Sequence, residues 1–393
     1  MKVSCGTRAV RLASCAGLAV AAMATGALAG DATQLMFPLN AGYSVVPFSA
    51  NGAQGSGPAS PADPLQRNDD DFAGPFALGF NFNIYGQTFT EVFINNNGNL
   101  TFGNGDTGFT PFAFPAAGAP RIAPFFGDVD TRNDASGVVY FRQEANRFVV
   151  TWDNVGYYNS QADRTNTFQV AISDGTDPAM GIGNNVCFSY DDMNWTTGSA
   201  SGGVGGFGGS DATVGVNAGD GVNFFAIGRF DRAGNTYNGP NAQDSGIDFL
   251  DGLDTCFSVA LGQNQPPICI NAPAGNTYTL NPYMGDVLAD VLQFIGPEFA
   301  DIVTLTGITD FQNAQADGLV LTPSGPGNPA LLGLNWIPGI ALDGNVYNLR
   351  IDFMDNFGNL NFQNLTIRIV PTPSAAAMLG LGGLAALRRR RRA

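Results

Sequence analysis

The chain has 393 residues, 44% of them apolar, with 30 Phe and 52 Gly and only 13% charged. That length suits two or three domains and that composition suits short strands joined by tight turns rather than helix bundles. The formal charge is −15, and without the three cations of residues 1–29 and the five C-terminal arginines it becomes −23. A surface so acidic repels phosphate backbones, which argues against nucleic-acid binding. With no His there is no His-dependent triad and no His-bearing zinc site, and with no Lys beyond Lys2 there is no Schiff-base or Walker-type chemistry.

Residues 1–29 carry Lys2, Arg8 and Arg11, then an apolar stretch from Ala13 to Ala24, then Ala27-Leu28-Ala29 as a small-x-small cleavage site. This predicts a secretory signal peptide, with an N-terminal anchor as the alternative. Residues 30–64 read as a linker or N-terminal segment, and Asn51 to Pro64 in particular as a long loop.

Strand-like segments then recur from 65 to 260. Phe89 to Ile94 and Asn99 to Phe102 flank Asn95-Asn96-Asn97-Gly98, for which Asn-Gly favours a type I′ turn. Gly137 to Arg142 and Arg147 to Trp152 flank a four-residue connection. Phe168, Val170 and Ile172 alternate, as do Val186, Phe188 and Tyr190. Gly202 to Gly209 lacks the Lys-Ser/Thr ending of a phosphate loop and reads as a flexible surface loop.

Gln265-Pro266-Pro267 marks a linker, and residues 266–370 predict an immunoglobulin-like β-sandwich of about seven strands. Val287, Leu288, Val291, Leu292 and Ile295 could instead form one helical face there. The chain is thus expected to be all-β. Val370-Pro371-Thr372-Pro373, a 14-residue apolar run and five arginines close it. Fourteen helical residues span about 21 Å, short of a ~30 Å hydrocarbon core.

That ending over 371–393 resembles the PEP-CTERM type of sorting tail, with Thr372 where that family has Glu. It implies membrane contact only through the tail, and either processing near Pro371 to Ser374 or a short permanent anchor. Over 65–260, Arg67-Asn68-Asp69-Asp70, Phe80 to Gly86, Asn95 to Phe102, Ile122 to Arg132 and Asn194 to Gly198 occur in the order of the NIDO module of nidogen and α-tectorin, which the chain resembles. The resemblance implies an extracellular, matrix-associated role in adhesion, and it supplies no catalytic residue. Independently, Tyr85-Gly86, Asn97-Gly98 and Thr197-Gly198 place Gly where a turn calls for positive φ. Phe80, Phe82, Phe93, Phe102, Phe125, Phe126, Trp152 and Trp195 are expected in the core, the indoles with satisfied N–H groups.

Chemistry-bearing residues are few. Asp128 and Asp130 alternate in an extended segment, with Asn133 and Asp134 nearby, so both carboxylates could converge on one Ca²⁺, the one cofactor for which a site is legible. The alternative is that they accept backbone amides of the following turn. Cys187 and Cys256 share the context Cys-Phe-Ser within strand-like segments, which suggests neighbouring strands and a disulfide, and Cys269 is the alternative partner. The expected function is a secreted or surface-retained adhesion and interaction protein, not an enzyme, whose partner is an extracellular protein or polysaccharide. A passive matrix component is the second reading and a carboxylate-based glycoside hydrolase the third.

Overall fold

A computed structural model describes residues 35–48, 64–260, 265–298 and 300–371. The signal-peptide and sorting-tail expectations, apart from Pro371, lie outside these residues. Among the described residues there are many strands, no α-helix and only short 3₁₀ turns, so the chain is all-β. Among the described residues no helix is long and apolar enough to cross a membrane.

The first part contains β1 (Ser44–Val45), β2 (Phe72–Ile84), β3 (Gln87–Asn95), β4 (Asn99–Thr101), β5 (Arg121–Phe126), β6 (Val139–Gln143) and β7 (Arg147–Tyr157). It continues with β8 (Gln161–Ser173), β9 (Val186–Met193), β10 (Ala212–Asn217), β11 (Phe224–Arg232), β12 (Ser245–Gly246) and β13 (Asp254–Phe257). One sheet runs β1-β6-β7-β8-β9-β13 and the facing sheet β12-β11-β10-β5-β4-β3-β2. Their inner faces share a core in which Phe82, Phe102, Phe125, Phe168 and both Trp152 and Trp195 are fully buried. Phe80 and Phe93 are only partly covered. Each indole is satisfied: Trp152 Nε1 donates to Asn96 O at 2.9 Å and Trp195 Nε1 to Val155 O at 3.0 Å.

Period-two alternation sends Phe168, Val170 and Ile172 inward, yet Ala171 and Val149 between such positions are buried too. The cover is residues 35–48, expected as linker. Phe37 packs on the outer face with Val149, Ala171 and Cys187, its backbone exchanges hydrogen bonds with the Gln169 amide, and Arg147 lies over its ring. Beneath this cover Cys187 and Cys256 are directly opposed in the β9–β13 register and form the disulfide. Cys269 is free.

The second part contains β14 (Ile268–Cys269), β15 (Thr277–Leu280), β16 (Leu288–Ile295), β17 (Thr304–Asp310), β18 (Val320–Pro323), β19 (Ala330–Trp336), β20 (Val346–Met354) and β21 (Leu360–Ile369). Its two sheets run β14-β16-β19-β18 and β15-β21-β20-β17 around a second core. The helical alternative for 287–295 fails because the segment is β16: Leu288, Leu292 and Phe294 point inward, whereas Val287 and Val291, on the supposed helical face, are exposed. The two parts also touch. Ile270 and Ile295 pack with the first core, Ala226 N donates to Pro297 O at 3.0 Å, and Gln265 N donates to the Glu298 carboxylate at 2.7 Å.

Candidate cation site and loop end of the first sandwich

One end of the first sandwich gathers the segment before β2, the β3–β4 turn, the loop after β5, the β7–β8 turn and the Gly-rich segment after β9. The β3–β4 connection is a three-residue loop, Asn95 facing Asn99, and among its residues only Gly98 has positive φ (73°). The expected type I′ turn, which needs two such residues, therefore gives way. Glycine at 98 is required by a tertiary contact as well, because a Cβ there would lie 1.8 Å from Phe125 O of β5. Asn96 then fastens the loop inward, its Nδ2 donating to Val129 O at 2.5 Å and its N–H to Asp71 O at 2.8 Å.

The segment before β2 pairs with the loop after β5. Asp69 bridges to Asp130, Thr131 N donates to Asn68 O at 3.0 Å, and Asn68 N donates to Thr131 Oγ1 at 2.7 Å. Arg67 Nη1 collects Thr131 O, Asn133 O and Ser136 O at 2.6–2.9 Å, and its Nη2 reaches Asp134 O. Asn133 and Asp134 thus belong to a loop wrapped around a guanidinium, with Asn133 Oδ1 accepting Ala135 N.

Asp128 and Asp130 have different fates. Asp130 accepts Arg132 N, Nε and Nη2 and Ser160 N at 2.5–2.9 Å, so both its oxygens are committed to the following turn and to an ion pair. This is the arrangement weighed against a shared metal. Asp128 is 1% exposed, and neither of its carboxylate oxygens has a hydrogen-bond partner among the described residues. The structure brings it together not with Asp130 but with Asp69 and Asp70: one oxygen from each of the three lies within 4.8 Å of the others. Burial, then the charges of Asp70, Asp69 and Asp130, push the Asp128 carboxyl up to about 8, partly opposed by Arg132. Burial also raises Asp70. Asp69 is paired with Arg132 at 2.8 Å.

Two further residues shape this cluster. The Asn97 amide lies against Asp70, Nδ2 to Oδ1 at 2.8 Å, and its own Oδ1 is buried without a partner. Gly198 has φ −79°, so the positive-φ expectation there is wrong. Its glycine is needed for space instead, because a Cβ would stand 2.3 Å from Asp128 Oδ2. Asn97, Asp69 and Asp70 lay within quoted motifs, but nothing in their spacing to Asp128 disclosed the cluster. It forms only when the segment before β2, the β3–β4 loop and the loop after β5 meet.

The Gly-rich segment is closely bonded rather than loose. Thr196 N and Thr197 N donate to Gly206 O, Ser210 N to Ser201 O and Gly208 N to Asp231 O. Val204 stands at its tip, 84% exposed. A second concave feature, about 490 Å³, lies where the two parts meet, lined among others by Asp248, Phe249, Asp251, Asn271, Asp290 and Gln293. Burial and neighbouring acids raise Asp251 to about 7.

The fold and site define an all-β protein whose first sandwich carries a rigid, polar loop end. Residues 51–245, which include most of this sandwich, match the model of the NIDO-related family. The chain is 34% identical to alpha-tectorin of Gallus gallus over 189 residues, 40% of this chain and 8% of the relative. It is 33% identical to alpha-tectorin of Mus musculus over a stretch of the same length and coverage. To Nidogen of Drosophila melanogaster it is 31% identical over 147 residues, 30% of this chain and 10% of the relative. The chain therefore matches about a tenth or less of these relatives' lengths.

Proposed function

We propose that the protein is an exported adhesion and interaction module that binds an extracellular protein or polysaccharide through the loop end of its NIDO-related domain, without catalysis. The observation that carries this is the pairing of a NIDO-related domain with loops fixed by buried side-chain hydrogen bonds. Loops already ordered lose little entropy on binding, which favours recognition by shape. The N-terminal signal pattern and the C-terminal Pro-apolar-Arg pattern support export followed by processing or anchoring at the tail. For the second sandwich, strand order supports the immunoglobulin-like reading. With its strands lettered in chain order, the sheets are A-B-E-D and A′-G-F-C.

The test is capture from the native extracellular fraction by the full chain and two surface variants. Val204→Glu at the loop end should reduce capture at least tenfold, and Phe357→Glu on the second sandwich should leave it unchanged. Equal capture by all three would remove the loop end from the account. A passive structural role is favoured by one observation: Ile302, Phe357, Leu360 and Phe362 are exposed apolar residues of the second sandwich. Loss of capture in Phe357→Glu alone would support lateral assembly through that face. Turnover of a polysaccharide that disappears in Asp251→Asn would revive the hydrolase reading.

A further inference from the structure

We infer that the loop end of the first sandwich holds one Ca²⁺, ligated by Asp69, Asp70 and Asp128 with the amide oxygen of Asn97. Three carboxylate oxygens within 4.8 Å of one another fit a shared ion at about 2.3–2.6 Å, for which two opposed ligands stand up to ~5 Å apart. Mg²⁺ demands a near-ideal octahedron at about 2.0–2.1 Å, whereas Ca²⁺ accepts an irregular set of oxygen ligands such as loop side chains offer.

A group of acids is not in itself a site, and the second observation here is what the burial does. Asp128 is 1% exposed and Asn97 2% exposed, and each carries oxygens with no donor among the described residues. A carboxylate buried bare is strongly disfavoured in its ionised form unless a positive charge meets it. The neighbouring guanidinium does not meet it: Arg132 is committed to Asp69 and Asp130. Gly198 keeps the space beside Asp128 Oδ2 free of a side chain. With all four acids ionised, Asp69, Asp70, Asp128, Asp130 and Arg132 sum to −3, and one divalent ion brings this to −1. The ion would join the segment before β2, the β3–β4 loop and the loop after β5, three of the pieces that build this end of the sandwich.

Metal binding is a property of the chain alone, so it is decided separately from adhesion. The full chain, stripped with chelator, is titrated with CaCl₂ by calorimetry, and thermal unfolding is followed with and without Ca²⁺. One Ca²⁺ per chain is expected, with a Kd in the range of about 10⁻⁴–10⁻³ M typical of extracellular modules. Asp128→Asn should abolish binding. Asp70→Asn, half-buried and at a positive φ (60°) that Asn also adopts, should weaken it at least tenfold while leaving the unfolding temperature without Ca²⁺ close to wild type. No heat and no thermal shift up to 10-fold above the weaker limit (~10⁻² M) would overturn the inference. Unchanged affinity in Asp70→Asn, or Mg²⁺ binding as tightly as Ca²⁺, would overturn it too.

Discussion

The two sandwiches solve the same packing problem with different materials. In the second, β20 alternates along its length, with Tyr347, Leu349, Ile351 and Phe353 inward and its outer positions half-buried or exposed. Its β20–β21 turn is closed locally, Asp355 Oδ1 accepting Phe357 N and Asn359 N at 2.9 Å. In the first, the loop end is held by side chains far apart in sequence, such as Trp152 with Asn96 and Arg67 with Ser136. Local turns specify a scaffold. Long-range polar contacts specify a surface, because they fix loops that no turn chemistry would fix.

The largest effect that separates the two should come from the core tryptophans. Trp152→Ala and Trp336→Ala should each destabilise by about 3–5 kcal/mol in denaturant unfolding. Only Trp152→Ala also frees Asn96 O and the β3–β4 loop, so only it should weaken Ca²⁺ binding. Equal losses of Ca²⁺ affinity would erase the distinction between the sandwiches.

Next comes the disulfide, which closes a loop of 69 residues in the first sandwich alone. The Cys187→Ser/Cys256→Ser double variant should lose about 2–5 kcal/mol, with the second sandwich's transition unmoved. Differential scanning calorimetry reads both.

The hairpin glycines sharpen the contrast further. Gly98 and Gly358 both have positive φ, but a Cβ at Gly98 meets Phe125 O whereas at Gly358 it meets nothing within 4 Å. Gly98→Ala should cost about 2–4 kcal/mol and Gly358→Ala about 1–2, the latter being the left-handed penalty alone. Similar costs would mean that the β3–β4 loop is no more locked than the other.

The smallest effect is at the junction. Burial, then the adjoining Asp301 carboxyl, raises the Glu298 carboxyl above its ordinary range, with Asp355 also facing it. A carboxyl raised in the folded state stabilises fully below its unfolded value near 4.3, and that stability is lost as pH rises towards the folded value. Wild-type stability should therefore fall between pH 5 and 9. Glu298→Gln keeps an acceptor for Gln265 N, should flatten the profile, and should gain about 1–2 kcal/mol at pH 8–9. Parallel profiles for the two proteins would show that Glu298 ionises freely.

Much of this architecture was legible in the residues. Strand alternation, the hairpin at Gln143–Asn146 and the burial of the indoles depend on near neighbours or on amphipathic faces, which sequence displays, and the Cys187–Cys256 pairing was legible from the shared Cys-Phe-Ser context of two strands. What escaped depends on which segments meet. Residues 35–48 look like linker because their cover of Val149 and Ala171 is visible only once β7 and β8 are paired. Asp128 looked like a partner of Asp130 because period two aligns them, but Arg132, two residues on, takes Asp130 away. Gly198 looked like a turn residue, and its reason is the carboxylate of Asp128 seventy positions earlier. The helical face at 287–295 was a coincidence of spacing that two exposed valines expose.

The central claim is that the loop end of the first sandwich is the binding surface and the second sandwich its scaffold. Hydrogen–deuterium exchange of the full chain, alone and with the ligand captured from the extracellular fraction, tests it most directly. The account predicts new protection at 96–112, 127–137 and 196–210 and none at 302–310 or 354–362. Protection confined to 302–310 and 354–362, with the first sandwich's loops unchanged, would contradict it.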